Sequence, residues 1–365
     1  MITPAQLALK AVWKGIEIGD NANYSKKEYP TDSVEYKDIP YIADGDSYHL
    51  LDVYVPREFD KDGKKHPVII DIHGGGWYYG TKELNRFFCL HLARKGFIVF
   101  NMSYRLAPKA TWIEQVKDCV AALSYISEHL GEYGGDASNV FLTGDSAGGN
   151  LSSVCAGICA SKVMQNAFDV EDPGLSVKAI GFTSPATYLD PSAGAIWKFY
   201  FNSFNKDFEK EAWYPYLNFD STIEVCGRAY PPTYIVTSVA DIVHSAGVRT
   251  HKTLKKAGIP TELNDSKNPK LMHVDMHELR VLRTQRFEEP EAHACLHGHR
   301  RGPPRRSGRH RRHDRLLPKV HLLTNEKAPP ERVLFFDAGG CGERFESPGT
   351  GSPASEPAAF THPTC

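Results

Sequence analysis

What most restricts the fold of this chain is the alternation of strand-like and helix-like patterns through its first 275 residues. HPVIIDIHGGGW, GFIVFNMSY, NVFLTGDS, AIGFTSP and PPTYIVTSVAD are short apolar runs, as expected of strands covered on both faces. YHLLDVYVP alternates like a half-buried strand, and TELND is a further short strand. Between them, TWIEQVKDCVAALSYISEHLG sets Ile113, Val116, Val120, Leu123 and Leu130 at helical spacing, with Gly131 as its stop. AGGNLSSVCAGICASKVM carries Leu151, Val154, Cys155, Ile158 and Cys159 on one helical face, and VRTHKTLKKAGIP is also helical. Strands joined through helices lie parallel to one another. The expectation is therefore an α/β fold with a mostly parallel sheet, its reactive residues at the carboxyl ends of the strands.

Two of those strand ends carry chemistry. GDSAGGN places Ser146 between Gly144 and Gly148, after the run VFLT and before an amphipathic helix. G-x-S-x-G in that context is a sharp turn that exposes the serine hydroxyl, with glycines where strand and helix nearly touch. The N–H of Ala147 then faces the place where an oxyanion would develop. His73-Gly74-Gly75-Gly76-Trp77 follows a buried strand, and bare glycine amides there can approach a substrate without a Cβ in the way. A phosphate loop would end in Lys-Ser/Thr, which is missing here. His73 reads as structural.

The pair HGGGW and GDSAGGN, with SYRLAP between them, resembles the hormone-sensitive-lipase-like family of α/β-hydrolase carboxylesterases over residues 35 to 275. The resemblance implies an α/β-hydrolase fold: an eight-stranded, mostly parallel sheet flanked by helices, with a helical cap. It implies that Ser146 is acylated, that Gly75, Gly76 and Ala147 bind the oxyanion, that His73, Gly74, Trp77, Gly144, Asp145 and Gly148 support the motifs, and that neither cofactor nor metal is needed. The acid of such a triad follows the next-to-last strand, which selects Asp241; a helix-capping aspartate is the alternative. His273, in KLMHVD, is the expected base, with His244 and His277 as rivals. The function expected is hydrolysis of short- to medium-chain acyl esters through an acyl-enzyme. An amidase or formamidase with the same triad, or a non-catalytic small-molecule binder, would share the motifs.

Composition divides the chain. Up to Asp275 there are 22 Lys and 6 Arg; from Met276 there are 2 Lys and 13 Arg, and all 17 Tyr and 5 Trp precede the break. The reading is an N-terminal cap segment at 1–35, a hydrolase core at 36–275 with a cap insertion at about 186–230, and an atypical, largely disordered Arg/His/Pro/Gly-rich extension at 276–365, which starts with a weakly amphipathic helical stretch and from about Pro290 on lacks the side chains to bury a core. That extension reads as solvated tail rather than nucleic-acid-binding surface. The insertion holds Trp197, Phe199, Tyr200, Phe201, Phe204, Phe208, Trp213, Tyr214 and Tyr216, as packing for cap helices, as an apolar acyl pocket, or as both. A net charge of −1 calls for no polyionic partner, and no stretch reaches the ~18 apolar residues of a membrane span. The eight cysteines lack metal-ligand spacing. With an N-terminus read as an amphipathic helix rather than a signal peptide, the expected location is the cytoplasm. The expected partner is a small ester, and a homodimer is compatible with the sequence.

Overall fold

The computed structural model describes residues 11, 14–16, 28–190 and 208–267, and the apolar runs of the sequence lie at its centre. β1 (Ser33–Pro40), β2 (Leu50–Pro56), β3 (His66–Ile72), β4 (Ile98–Met102), β5 (Gly135–Asp145), β6 (Val177–Thr183), β7 (Thr233–Ser238) and β8 (Thr261–Ser266) form one sheet in the order β1-β2-β4-β3-β5-β6-β7-β8. β2 is antiparallel to both β1 and β4. Every pairing from β4 across to β8 is parallel, so the eight-stranded, mostly parallel sheet is as expected.

All seven residues of β3 and all five of β4 are buried, which requires cover on both faces. Alternation along β3 divides its side chains between two apolar clusters. Val68, Ile70 and Ile72 join one, with Trp112, Val116, Leu123 and Leu151; Ile69 joins the other, with Tyr54, Phe88, Val99 and Phe141. The first cluster takes in α2 (Trp112–His129) and α3 (Ser146–Ala160), and the second takes in α1 (Lys82–Ala93). Each side chain thus buries on the face to which the period-two pleat sends it.

Local chemistry sets the helix ends. Glu114 closes the start of α2, its carboxylate accepting from the Thr111 N–H at 2.7 Å and the Thr111 hydroxyl at 2.8 Å. The stop expected at Gly131 falls three residues later: α2 tightens into a 3₁₀ turn over Leu130–Tyr133, and Gly134, at φ 83°, ends it. The single helix expected after Ser146 is two, α3 and α4 (Lys162–Phe168). Ser161 turns extended between them (φ −146°, ψ 118°), and the Ile158 carbonyl accepts from the Ser161 N–H at 3.4 Å and from Gln165 Nε2 at 3.0 Å. β1 and α1 have no counterpart among the segments read from sequence. β1 is an edge strand with one buried residue, and its register shifts between Tyr36 and Ile39, which breaks the alternation that would reveal it.

Of the aromatic insertion, residues 191–207 lie outside the described residues, and with them Trp197, Phe199, Tyr200, Phe201 and Phe204. Trp213 and Tyr216 are buried: the Trp213 ring lies 5.4 Å from Trp112, and Tyr216 lies 5.6 Å from Phe168. These two behave as core. α5 (Phe219–Cys226) and α6 (His244–Lys256) complete the layer around β7 and β8.

The topology positions the site. β4 lies to one side of β3 and β5 to the other, so the winding reverses direction at β3. Such a reversal opens a crevice at the carboxyl ends of the two strands. Ile72 pairs with Gly144, which sets the loop after β3 directly beside the turn after β5.

Candidate active site

Ser146 is the first residue of α3, and its φ of 49° lies in the left-handed region. That conformation costs a non-glycine residue roughly 1–2 kcal/mol, so the surroundings must impose it. β5 and α3 meet at an angle with no intervening loop. A Cβ on Gly148 would run into the Ile72 carbonyl oxygen and lie 2.5 Å from that of His73, so the first turn of α3 packs against the backbone at the end of β3. From the other side, the Ala186 N–H, just past β6, donates to the Ser146 carbonyl at 3.0 Å. Ser146 itself is only partly buried, while Ala147 is fully buried with its amide in the first turn of α3, where helix N–H groups lack intrahelical partners.

The glycine loop stands opposite. Gly75, Gly76 and Trp77 have φ of 104°, 57° and 65°, and a Cβ on Gly75 would overlap the Tyr79 carbonyl. The loop is held at its start by the Gly74 N–H, which donates to Asp145 Oδ1 at 2.9 Å. Asp145 is the residue before the serine, so one carboxylate ties the glycine loop to the serine turn.

Asn85, buried on α1, donates through Nδ2 to Asp145 Oδ1 and to Asp71 Oδ2, each at 2.9 Å. Burial, with Asp145 alongside, pushes the Asp71 carboxyl well above the usual carboxylate range, against the lowering effect of Asn85. His73 is buried and stacked on Tyr104, ring centroids 4.4 Å apart; its Nδ1–H donates to the Gly74 carbonyl at 2.7 Å. Burial pushes its pKa down to about 4, so the ring is neutral near pH 7. Its bond to the Gly74 carbonyl braces the start of the loop.

Asp241 lies in the turn between β7 and α6 and is buried. Its Oδ1 accepts from the Val243 N–H at 2.9 Å. His244 turns its ring to β8 instead, with Nε2 2.9 Å from Asp265 Oδ1. His273 and His277 lie outside the described residues.

A strained serine at a strand-to-helix turn, a glycine loop locked to it, and a buried acid two strands away are what the fold brings together. A profile of the alpha/beta hydrolase fold matches residues 69–274, more than half of the chain. The chain belongs to the α/β-hydrolase family. Its relatives bear out the hormone-sensitive-lipase-like resemblance. Carboxylesterase NlhH of Mycobacterium tuberculosis is 31% identical over 224 residues, 57% of this chain and 66% of NlhH. Esterase LipC of the same organism is 32% identical over 136 residues, 37% of this chain and 33% of its own length. The alignments thus span from a third to just under two thirds of these relatives. Among solved structures, inhibited Esterase B from Lactobacillus rhamnosis superposes with a TM-score of 0.70 at 27% identity, covering 75% of this chain and 90% of that one. Among the described residues, no helix is long and apolar enough to cross a membrane, and none of the His, Cys, Asp and Glu side chains cluster as a metal site would need.

The sequence reading did not single out Asn85. Its signal was present: with Phe88, Cys89 and Leu92 it occupies one buried stripe of α1, and a polar residue inside an apolar stripe calls for a buried partner.

Proposed function

We propose that this hydrolase is a serine carboxylesterase acting on short- to medium-chain acyl esters. The observation that carries the reading is Ser146, held at φ 49° between β5 and α3 beside a glycine loop fastened to its neighbour Asp145. Backbone strain of this kind survives only where the surroundings over-determine it, and it gathers at functional sites.

In this mechanism Ser146 Oγ attacks the ester carbonyl and its proton passes to His273, the base expected in the segment after β8. Asp241 orients the imidazole and stabilises its protonated form. The carbonyl oxygen, now negative, lies against the amides of Gly75, Gly76 and Ala147. The intermediate collapses: the C–O bond to the alcohol breaks, and the alcohol leaves with the proton from His273. A water then attacks the acyl-enzyme, returning its proton through His273, and the acid is released with Ser146 restored. No cofactor enters any step. The ester-hydrolysing relatives NlhH and LipC support the reaction class. The preference for shorter chains rests on the aromatic-rich insertion, which suits an enclosed pocket better than an open lipid surface.

The test is hydrolysis of p-nitrophenyl acetate, butyrate, octanoate and palmitate by the full chain, with Ser146→Ala beside it. Turnover that is greatest for the shorter esters and lost in the variant is expected. An active Ser146→Ala protein, or a preference for palmitate, would overturn the mechanism or the chain-length reading respectively.

A further inference from the structure

Trp77 is the third consecutive residue of the glycine loop in a left-handed conformation, at φ 65°, and unlike Gly75 and Gly76 it carries a large Cβ substituent that disfavours it. Two donors meet at its carbonyl: the Ala107 N–H and Gln115 Nε2, each at 2.9 Å. Ala107 comes from a loop whose neighbours Pro108 and Lys109 are exposed. Gln115 comes from α2, where it is fully buried one turn after Trp112, and its Oε1 accepts no hydrogen bond from any described residue. An amide placed in an apolar stripe with its acceptor unused is unfavourable for stability. Its donor must therefore matter.

We propose that Gln115 is a positioning residue for the oxyanion loop, its side-chain amide fixing the Trp77 carbonyl and through it the amide of Gly76. The relay has two rigid planes, because each peptide unit moves as one piece. The Trp77 carbonyl that Gln115 holds belongs to the Trp77–Tyr78 peptide. The N–H of that peptide donates to the Gly75 carbonyl at 3.2 Å, with the Tyr79 N–H beside it at 3.0 Å. The Gly75 carbonyl in turn belongs to the Gly75–Gly76 peptide, whose N–H is the Gly76 donor. Gln115 and the Gly74–Asp145 bond therefore grip the loop from its two ends. Without Gln115, the Ala107 bond remains but the peptide planes rock about it, and donors aimed at a developing charge lose effect with small errors of angle.

This inference rests on the serine-esterase reading, so Ser146→Ala is carried beside the test variants. In the full chain, Gln115→Met keeps the side-chain volume and removes the donor, and Gln115→Leu does the same with a different shape. With p-nitrophenyl butyrate, kcat is expected to fall about 10- to 30-fold in both, with KM within twofold, a smaller loss than removing an oxyanion donor outright. A butyl trifluoromethyl ketone, whose carbonyl takes up the serine oxygen and leaves an oxyanion as the serine proton passes to the base, should bind more weakly by the same factor. The unreactive butyl methyl ketone, which forms no oxyanion, should bind as before. Because an unused buried acceptor is also removed, the melting temperature of Gln115→Met should not fall. A kcat within threefold of the parent, equal weakening of both ketones, or failure of both variants to fold would each overturn the inference and leave Gln115 a packing residue. An active Ser146→Ala protein would instead overturn the underlying mechanism.

Discussion

The strain at Ser146 can be separated from its chemistry by comparing two substitutions that remove the same hydroxyl. In Ser146→Ala the Cβ remains, and with it the roughly 1–2 kcal/mol cost of a left-handed conformation. In Ser146→Gly that cost disappears, offset by the roughly 0.5–1 kcal/mol that glycine loses through the freedom of the unfolded chain. At a φ of 49° the two effects leave Ser146→Gly more stable than Ser146→Ala by about 0.5–1 kcal/mol. For a domain of this size that is a rise of about 1–4 °C in melting temperature. Ser127, inside α2, is the control, since there glycine should be less stable than alanine by about 1 kcal/mol. Differential scanning calorimetry of the four variants checks the sign at each site. If Ser146→Gly proves no more stable than Ser146→Ala while Ser127 behaves as expected, the turn is not strained and the argument from strain to function fails.

Other expectations follow from the buried groups. Asp71 has its carboxyl pushed up by burial, so the folded state holds a proton that the unfolded state releases above about pH 3.9. Stability from this group is complete below that pH and lost as pH rises through the raised folded value. Asp71→Asn should therefore gain stability over the parent between pH 5 and pH 8 in urea unfolding; an equal difference at both pH values would contradict the shift. Trp112 is fully buried, donates to Asn150 Oδ1 at 2.9 Å and packs on Phe168 and Trp213. Trp112→Ala should cost about 3–5 kcal/mol by urea denaturation, and a loss below about 1 kcal/mol would refute its place in the core. His244 is turned to Asp265, so His244→Gln should keep kcat/KM for p-nitrophenyl butyrate within threefold while His273→Ala loses it; the reverse would exchange their roles.

What was legible in the sequence was whatever leaves a local pattern. Continuous apolar runs exposed the central strands because burial on both faces removes every polar position, as in β3 and β4. The serine turn and the glycine loop were legible because close backbone approach excludes side chains, and the collisions a Cβ would make at Gly75 and Gly148 show why. β1 was not legible, since an edge strand with a shifted register needs few apolar residues. The bonds that unite the site were hidden for another reason. The Gly74–Asp145 pair is separated by 71 residues, Asn85–Asp145 by 60 and Gln115–Trp77 by 38, and only the folded sheet makes them neighbours. The helix break falls at Ser161, a residue type favoured at helix N-caps, and Gln165 from beyond the break donates to the Ile158 carbonyl.

Ser146 is proposed to act as an activated nucleophile rather than a turn residue. The most direct test is to treat the full chain with a fluorophosphonate and map the modified residue by peptide mass spectrometry, with Ser146→Ala and His273→Ala in parallel. Stoichiometric modification at Ser146 is expected, with none in Ser146→Ala and labelling slowed at least 100-fold in His273→Ala, the least that loss of the general base should cost. Labelling spread over several serines, or at an equal rate without His273, would contradict it.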